Sequence, residues 1–435
     1  MAADIDAHAR DLCTFIDASP SPYHAVAEVT RRLVAAGFNP IEERDAWPGE
    51  PGRYVVRRGG SVAAWSTEHA VADPATPFRV VGGHTDSPNL RISPLPDRAS
   101  HGWDQLVVEV YGGPLLNSWL DRDLGISGRV AVRDTDSPGG VAERLVRVDE
   151  AVLRVPQLAI HLDRDANSGL ALNPQTHLTP IWGATGAAPS FAAYLAGLLG
   201  TAERDVLAWD VMTHDLTPSG PLGRESDLLA APRLDNLGTA FAGTTALLAA
   251  VEDADPTHIP LLVLFDHEEI GSTTSSGGDS TFLPSVLERV VATRGGDRQD
   301  YHRALADTLV ISADMAHATH PNYVEKHEPG HRIAINGGPV LKVNTKGRYA
   351  SEAPGSAAFA LACEQAGVPM QVFRSRGDMP CGSTIGPMSA ALTGATTVDV
   401  GSPMLSMHSA RELTGARDPG MYVAALTATL APSRH

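Results

Sequence analysis

Residues 260–272 read PLLVLFDHEEIGS, and they join an apolar run to a cluster of charge. Five apolar residues, Leu261 to Phe265, predict a buried β-strand. Two adjacent carboxylates, Glu268 and Glu269, follow its carboxyl end. Because buried carboxylates without a partner are strongly unfavourable, the arrangement predicts a positively charged partner at the end of this strand.

The bulk composition limits the class of protein. The chain has 435 residues, of which 43% are hydrophobic and 20% are charged, so we expect a globular protein with two domains. A formal net charge of −17 argues against nucleic acid or an anionic membrane surface as the main partner. The three cysteines show no CxxC spacing, which argues against a thiolate zinc site. A polar N-terminus and the lack of a long apolar stretch predict a cytoplasmic location.

The order of the predicted elements indicates an α/β fold with an insertion. Strand and helix patterns alternate on both sides of a middle region that is rich in β-like runs. We therefore predict a discontinuous domain of residues 1–91 and 233–435, with a β-rich domain of residues 92–232 inserted into it. The stretch DLTPSGPLGRESD, residues 215–227, is interpreted as the exit linker.

Polar residues follow several of the predicted strands. In open α/β sheets ligands gather at the carboxyl ends of the strands, so we expect most of these side chains to converge. Two His and several carboxylates without Cys suit a pair of divalent ions, most naturally zinc, with Mn²⁺ or Co²⁺ as alternatives at one site. The candidates are His84 and Asp86 in VVGGHTDSP, Asp235 in RLDNL, Glu268 and Glu269 in LFDHEEIGS, Asp314 in VISADMAHA, and His408 in VDVGSPMLSMHS.

Such a site has recognisable roles for its carboxylates. One carboxylate can bridge both ions, and a metal-bound water becomes the nucleophile. Consecutive residues of an extended segment point in opposite directions, so one of Glu268 and Glu269 is expected to bind metal while the other acts as general base. The spacing does not say which. Asp86, two residues after His84, is expected to fix the orientation of that imidazole.

The sequence HEPGH at residues 327–331 matches H-E-x-x-H, the zinc signature of another class of protease. That motif requires a helix, and Pro329–Gly330 in its middle breaks one. We therefore predict a loop here. Serine hydrolase, nucleotidase and dinucleotide-binding motifs do not occur in the sequence.

A series of motifs extends in order over nearly the whole chain: FIDASPSPYHAV, GGHTDSPNL, NSWLDRDLGISGRV, RLDNL, DHEEIGS, SADMAHATHPNY, KHEPGHR, PCGSTIGP and GSPMLSMHSARE. In these motifs the chain resembles the M18 family of metallo-aminopeptidases, and most closely the aspartyl aminopeptidases. The resemblance implies a di-zinc catalytic domain with a mixed central sheet flanked by helices, an inserted β-rich dimerisation domain, and a tetrahedral homo-dodecamer.

The resemblance also implies a set of metal ligands. One zinc is expected on His84, Asp235 and Asp314. Asp235 is expected to bridge to a second zinc that Glu269 and His408 complete. The resemblance further implies a cis peptide bond between Asp235 and Asn236.

Catalytic roles follow from the same resemblance. Glu268 is the implied general base, which activates a metal-bridging hydroxide, and Asp86 is implied to orient His84. His161, in LAIHLDR of the inserted domain, matches a histidine that reaches into the active site of a neighbouring subunit. The implied reaction is hydrolysis of the N-terminal residue of a peptide, with a preference for Asp or Glu.

The acidic preference requires a cation in the substrate pocket. The stretch PVLKVNTKGRY reads as a strand, in which alternation places Lys342, Asn344 and Lys346 on one face. Lys342 matches the lysine of the family that binds the substrate carboxylate. Tyr349 and His317, together with His161, match other substrate-binding positions.

Two other readings of the sequence differ in function. An aminopeptidase of the same family with a neutral, Leu-like preference would keep the metals and change the substrate. A catalytically silent assembly protein would keep the fold alone. The presence of every implied ligand and of the base favours an enzyme.

Overall fold

The computed structural model describes residues 7–252 and 255–432 of the chain. They divide into two compact units. The first unit comprises the chain up to residue 86, residues 219–407, and the chain from residue 412 onward. The second unit comprises residues 87–218 and a short returning segment, residues 408–411.

Helices and strands alternate over much of the chain. The α-helices of the described residues are α1 (Ala7–Ala18), α2 (Pro22–Ala35), α3 (Pro174–His177), α4 (Phe191–Leu199), α5 (Leu234–Ala250), α6 (Phe282–Thr293), α7 (Arg298–Ala306), α8 (Ala353–Ala366), α9 (Gly386–Thr393) and α10 (Asp418–Leu430). The strands are β1 (Asn39–Ile41), β2 (Arg53–Arg58), β3 (Ser61–Ser66), β4 (Phe78–His84), β5 (Asn89–Ser100), β6 (Trp103–Tyr111), β7 (Leu124–Arg133), β8 (Val141–Leu153), β9 (Ile181–Gly183), β10 (Val206–Asp215), β11 (Gly220–Leu222), β12 (Leu228–Ala231), β13 (Ile259–Phe265), β14 (Leu309–Ala313), β15 (Ala316–His317), β16 (Val340–Val343), β17 (Gln371–Arg374), β18 (Thr396–Gly401), β19 (Pro403–Leu405) and β20 (Glu412–Gly415).

A mixed nine-stranded sheet forms the centre of the first unit, in the order β1-β2-β3-β13-β4-β14-β18-β16-β17. Its middle strands β13, β4, β14 and β18 run parallel to one another. All seven residues of β13 are buried, as expected for an apolar strand that is covered on both faces of a parallel sheet. Because these strands are parallel, their carboxyl ends lie along one edge. The α/β fold predicted from the sequence is confirmed.

Helix α5 covers one face of this sheet at close range, and small residues make that possible. A Cβ atom at Gly243 would lie 2.7 Å from Leu262 Cδ1 and 3.2 Å from Val81 Cγ1. The helix therefore packs directly against β13 and β4. Asp235 lies at the start of this helix.

A five-stranded sheet, in the order β11-β12-β20-β19-β15, also belongs to the first unit. Its strand β12 pairs antiparallel with β20, and β11 pairs with β12. The predicted exit linker, residues 215–227, is therefore wrong in part, because Gly220–Leu222 forms strand β11. For the same reason the second unit ends at residue 218, and the sequence-based boundary at residue 232 lies beyond two strands of the first unit.

The second unit is built on a six-stranded antiparallel sheet, in the order β8-β7-β10-β5-β6-β9. Its first strand begins at Asn89, three residues before the predicted boundary at residue 92. Helix α4 packs on the sheet through Phe191, whose ring centroid lies 5.4 Å from that of Trp209. Across the described residues, the helices are too short or too polar to span a bilayer. The cytoplasmic location stays a prediction.

Candidate metal centre

His84 ends strand β4 and lies among carboxylates from three other segments of the first unit. Its Nε2 atom is 3.3 Å from Asp235 Oδ1, 3.5 Å from Asp314 Oδ1 and 4.0 Å from Glu268 Oε2. His84 and Asp235 are almost fully buried. Ligand atoms of His84, Asp235 and Glu269 all lie within 4.8 Å of one another. The structure thus brings together five of the predicted site residues.

The spacing of these atoms fits shared ligands of a metal ion better than hydrogen bonds. A hydrogen bond from nitrogen to oxygen is typically about 2.7–3.2 Å long. Two atoms that each lie about 2.1 Å from one tetrahedral ion are roughly 3.4 Å apart. The separations of 3.3 and 3.5 Å from His84 Nε2 to Asp235 and Asp314 match the second value. One imidazole with several carboxylates is also a donor set that zinc accepts.

The two adjacent glutamates lie in a tight turn. The sequence analysis expected an extended segment with opposed side chains, and this is wrong. His267 adopts a left-handed conformation with φ of 63°, and Glu268–Ile270 form one turn of 3₁₀ helix. Through this turn Glu268 approaches His84, and a carboxylate oxygen of Glu269 faces both His84 and Asp235.

Asp86 holds this turn in place. Its two carboxylate oxygens accept the backbone N–H groups of Glu268 and Glu269, each at 3.1 Å. The Nδ1 atom of His84 lies 3.0 Å from the backbone oxygen of Asp86 and 3.5 Å from its Oδ1. Asp86 therefore contacts the imidazole, and it also orients both glutamates. The sequence analysis had considered only the first of these contacts.

Burial and mutual repulsion shift the ionisation of the cluster. Burial raises the pKa of Glu268 to about 7, with further increases from Asp314, Asp86 and Asp235 that His84 opposes. Burial alone would lower the pKa of His84, but the carboxylates of Asp235, Asp314 and Asp86 raise this pKa well above its ordinary value. A divalent ion at this site would displace that proton, because imidazole binds a metal in its neutral form.

Glu412 is a member of the site that the sequence analysis missed. Its side chain is buried, and its Oε2 accepts the backbone N–H of Asp235 at 3.1 Å. The Asp235–Asn236 peptide bond is cis, as predicted. The available signal was the acid that ends the motif GSPMLSMHSARE, four residues after His408, at the start of the strand sequence ELTG.

Lys342 reaches the same cluster from strand β16. Its Nζ donates to the backbone oxygen of Met315 at 3.0 Å, lies 3.4 Å from Asp314 Oδ2, and is 2% exposed. The predicted common face with Asn344 and Lys346 is wrong, because β16 ends at Val343. Asn344 Oδ1 then accepts the N–H of Lys346 at 2.9 Å in a turn, and the Lys346 side chain is exposed.

Asp399, also missed, fixes the surroundings of Lys342. It is fully buried within β18 and accepts hydrogen bonds from Ser312 Oγ at 2.6 Å and from the Ala350 N–H at 2.6 Å. Burial raises the pKa of Asp399, and the charge of Lys342 lowers it. A single acid inside the apolar strand TTVDVG was the signal that could have revealed it.

The two other predicted substrate-binding residues of the first unit line one cavity of about 480 Å³. Tyr349 is buried, and its ring lies 5.3 Å from Lys342 Nζ. His317 ends strand β15 and is exposed, with its ring 6.1 Å from that of Phe373. His327 and His331 of the HEPGH segment line the same cavity from a loop, so the prediction that this motif is not helical is confirmed.

Two predicted site residues belong to the second unit. His408 has φ of 68°, and its Nδ1 lies 2.9 Å from the backbone oxygen of Gly113. His161 is exposed within the loop that follows β8. Their roles as metal ligand and as contributor to a neighbouring site stay predictions.

Comparisons with known proteins agree with this geometry. A sequence model described as "Aminopeptidase I zinc metalloprotease (M18)" matches residues 15–429. The chain belongs to the M18 family of aminopeptidases. It is similar to a curated protein of Mycobacterium bovis named "Probable M18 family aminopeptidase 2", with 54% identity over 98% of each chain.

Solved structures of M18 proteins share the fold of this aminopeptidase. The structure titled "Cryo-EM structure of the Ape4 and Nbr1 complex" matches with a TM-score of 0.91 and 35% identity, over 97% of this chain and 84% of that one. "Structure of S. cerevesiae mApe1 dodecamer" matches with a TM-score of 0.83 and 27% identity, over 97% and 95%. Membership of the family makes the protein a zinc metallo-aminopeptidase, which hydrolyses peptides at the N-terminus.

The contacts of Asp86 lead to a prediction. An amide at this position keeps one acceptor oxygen but cannot accept both backbone N–H groups of Glu268 and Glu269. We expect Asp86→Asn to lower kcat/KM about tenfold to a hundredfold, as is usual when the residues that orient metal ligands are lost. Steady-state kinetics on an aminoacyl p-nitroanilide measures this. Asp307→Asn, an exposed acid, is the control and should be unchanged. Full activity of Asp86→Asn would show that the turn keeps its conformation without the Asp86 carboxylate.

Proposed function

We propose that this aminopeptidase uses two zinc ions held around Asp235 and prefers substrates with an N-terminal Asp or Glu. The observation that carries the proposal is the separation of 3.3–3.5 Å between His84 Nε2 and two carboxylates, of which Asp235 is buried and Asp314 is half-buried. His84, Asp235 and Asp314 would hold the first ion. Asp235, Glu269 and His408 would hold the second. Mn²⁺ or Co²⁺ are alternatives at one position.

Glu268 is the proposed general base. When bound, the metal ions polarise the scissile carbonyl and lower the pKa of the attacking water. Glu268 accepts the proton of that water and returns it to the leaving amine. Asp86 supports this role because it fixes the backbone of the turn that carries Glu268.

The separation of base and ligand roles can be tested directly. We expect Glu268→Gln to lower kcat by roughly 10²–10⁴-fold, because the amide cannot accept the proton, while metal content stays at about two ions per chain. Elemental analysis of the dialysed protein gives the metal content. Asp235→Asn is the matched comparison, since it should lose metal and activity together. If Glu268→Gln keeps its activity, or loses its metal, the assignment of Glu268 as base is wrong.

Lys342 is proposed to bind the side-chain carboxylate of the substrate. It is a buried cation within reach of the metal-ligand cluster, and its Nζ lies 5.3 Å from the ring of Tyr349, which lines the cavity. When Asp314 is engaged by a metal ion, the Lys342 ammonium is available to a second anion. A charge-assisted hydrogen bond of this kind favours an acidic over an apolar N-terminal residue.

Substrate preference is measurable on p-nitroanilides of Asp, Glu, Leu and Lys. We expect Asp and Glu to be cleaved with the highest kcat/KM. Lys342→Met should lower the ratio of the Asp to the Leu value about tenfold to a hundredfold, the equivalent of one charge-assisted hydrogen bond. The Leu substrate serves as the internal control for damage to Asp314. Faster cleavage of Leu by the unmodified enzyme would favour the neutral aminopeptidase instead.

Self-association into dimers and a tetrahedral dodecamer is the third part of the proposal. The loop after β8 exposes apolar side chains on both sides of His161, with Leu158, Ile160 and Leu162 exposed by 57%, 46% and 74%. Apolar side chains crowded on one loop are typical of a contact with another subunit. One solved relative is titled as a dodecamer. His161 would then act as a donor to the oxyanion in the site of its neighbour.

Sizing chromatography at moderate salt tests the assembly. We expect the unmodified chain to elute as a large oligomer, and Leu162→Asp to shift the protein towards smaller species, because a charge cannot be buried unpaired in the contact. Leu361→Asp, which places the same change on an exposed site of α8, is the control. A monomeric unmodified protein would remove the basis for His161 in catalysis.

A further inference from the structure

Four cations line a cavity of about 520 Å³ beside the one that contains Tyr349. They are Lys346 and Arg348, from the turn after β16, and Arg374 and Arg376, from the end of β17 and the loop behind it. None of the described residues that line this cavity is an Asp or a Glu. Such a concentration of positive charge is notable in a chain with a formal net charge of −17.

Three of these four cations lack an ion pair with a carboxylate among the described residues. Arg376 lies 2.8 Å from Asp378. Arg348 instead donates to the backbone oxygen of Cys381 at 3.1 Å. For Arg374 and Lys346, the described part of the chain offers no carboxylate within ion-pair distance. Lys346, Arg348 and Arg374 are exposed to solvent. A cavity lined by positive charge without counter-charges is complementary to an anionic ligand.

The nearest acids do not neutralise this wall. The charge of Arg374 contributes to lowering the pKa of Glu328, after the larger effect of His331. The Glu328 carboxylate, however, lies 2.5 Å from His331 Nδ1, and Glu328 lines the neighbouring cavity. Asp378 is occupied by Arg376. The cavity therefore keeps a net positive lining after the ion pair between Arg376 and Asp378 is counted.

The cationic cavity adjoins the cavity of Tyr349, since residues 374–376 and 379–381 line both. Tyr349 in turn lies beside Lys342, next to the metal-ligand cluster. The two spaces, about 480 and 520 Å³, suit an extended chain of several residues. A lone phosphate ion is far smaller than such a space and would reach only part of a cationic wall that comes from two separate loops.

We propose that the cationic cavity binds acidic side chains of the peptide substrate beyond its first residue. The proposal rests on the proposed aminopeptidase site, which it extends from a single N-terminal acid to an acidic stretch. The planar guanidinium of Arg374 can bind a carboxylate through two parallel hydrogen bonds. Lys346 adds a flexible point charge on the opposite loop.

Cys381 provides a way to test binding without turnover, because its thiol lies in the shared wall and is partly exposed. The probe is N-acetyl-Glu-Glu-Glu amide, whose blocked amine prevents hydrolysis by an aminopeptidase. The concentration dependence of protection of Cys381 from iodoacetamide, followed by mass spectrometry, gives an apparent Kd. The buried Cys363 is the internal control. Failure of the acidic N-terminal preference would not affect this measurement.

We expect the acidic peptide to protect Cys381 and N-acetyl-Ala-Ala-Ala amide to leave it reactive. Arg374→Gln should raise the apparent Kd about tenfold, equivalent to the loss of one charge-assisted hydrogen bond. Lys346→Gln, on the other loop, gives an independent variant should the first fold poorly. Arg224→Gln, whose side chain is 91% exposed, should bind as the unmodified protein does. Absence of protection overturns the proposal, and equal protection by inorganic phosphate alone shows a small-anion site instead.

Discussion

The repulsion between buried carboxylates at the end of β4 is the constraint on which the rest of the structure depends. Asp235, Glu268, Glu269 and Asp314 approach one histidine in a largely buried space, and such charges cannot stay together without a cation. The parallel strands of the central sheet supply the convergence. Other buried acids then hold the backbone around the site through hydrogen bonds. Asp86 accepts the N–H groups of the turn at Glu268, and Glu412 and Asp399, which the sequence analysis missed, accept backbone N–H groups in the same way.

Much of this could be predicted because it depends on local pattern. The apolar runs of β4 and β13 predict buried parallel strands, and the polar residues that follow them predict a site at one edge of the sheet. The HEPGH segment could likewise be assigned to a loop, since Pro329 and Gly330 exclude a helix by themselves. In each case the deciding residues are neighbours in the sequence.

Several of the errors share one physical cause, which is contact between residues that are distant in the chain. The turn at Glu268 and Glu269 is set by the carboxylate of Asp86, 182 residues earlier than Glu268. Part of the predicted linker forms strand β11, because β11 pairs with β12 and β12 pairs with β20, which lies near the end of the chain. The environment of Lys342 depends on Asp399 and Asp314, and neither is near it in the sequence. Periodicity carries no information about such pairings.

The returning segment, residues 408–411, has a consequence for biosynthesis. Within the second unit it bonds to residues of the insertion: the backbone oxygen of His408 accepts the N–H of Leu115, and the N–H of Ala410 donates to Ser118 Oγ. The ribosome delivers the body of that unit early, yet its last piece emerges only after residues 219–407 have been made. The second unit therefore cannot be complete when synthesis of residues 87–218 ends. It can be completed only after almost the whole polypeptide has been synthesised. Deleting the insertion would remove the backbone groups that bond to His408.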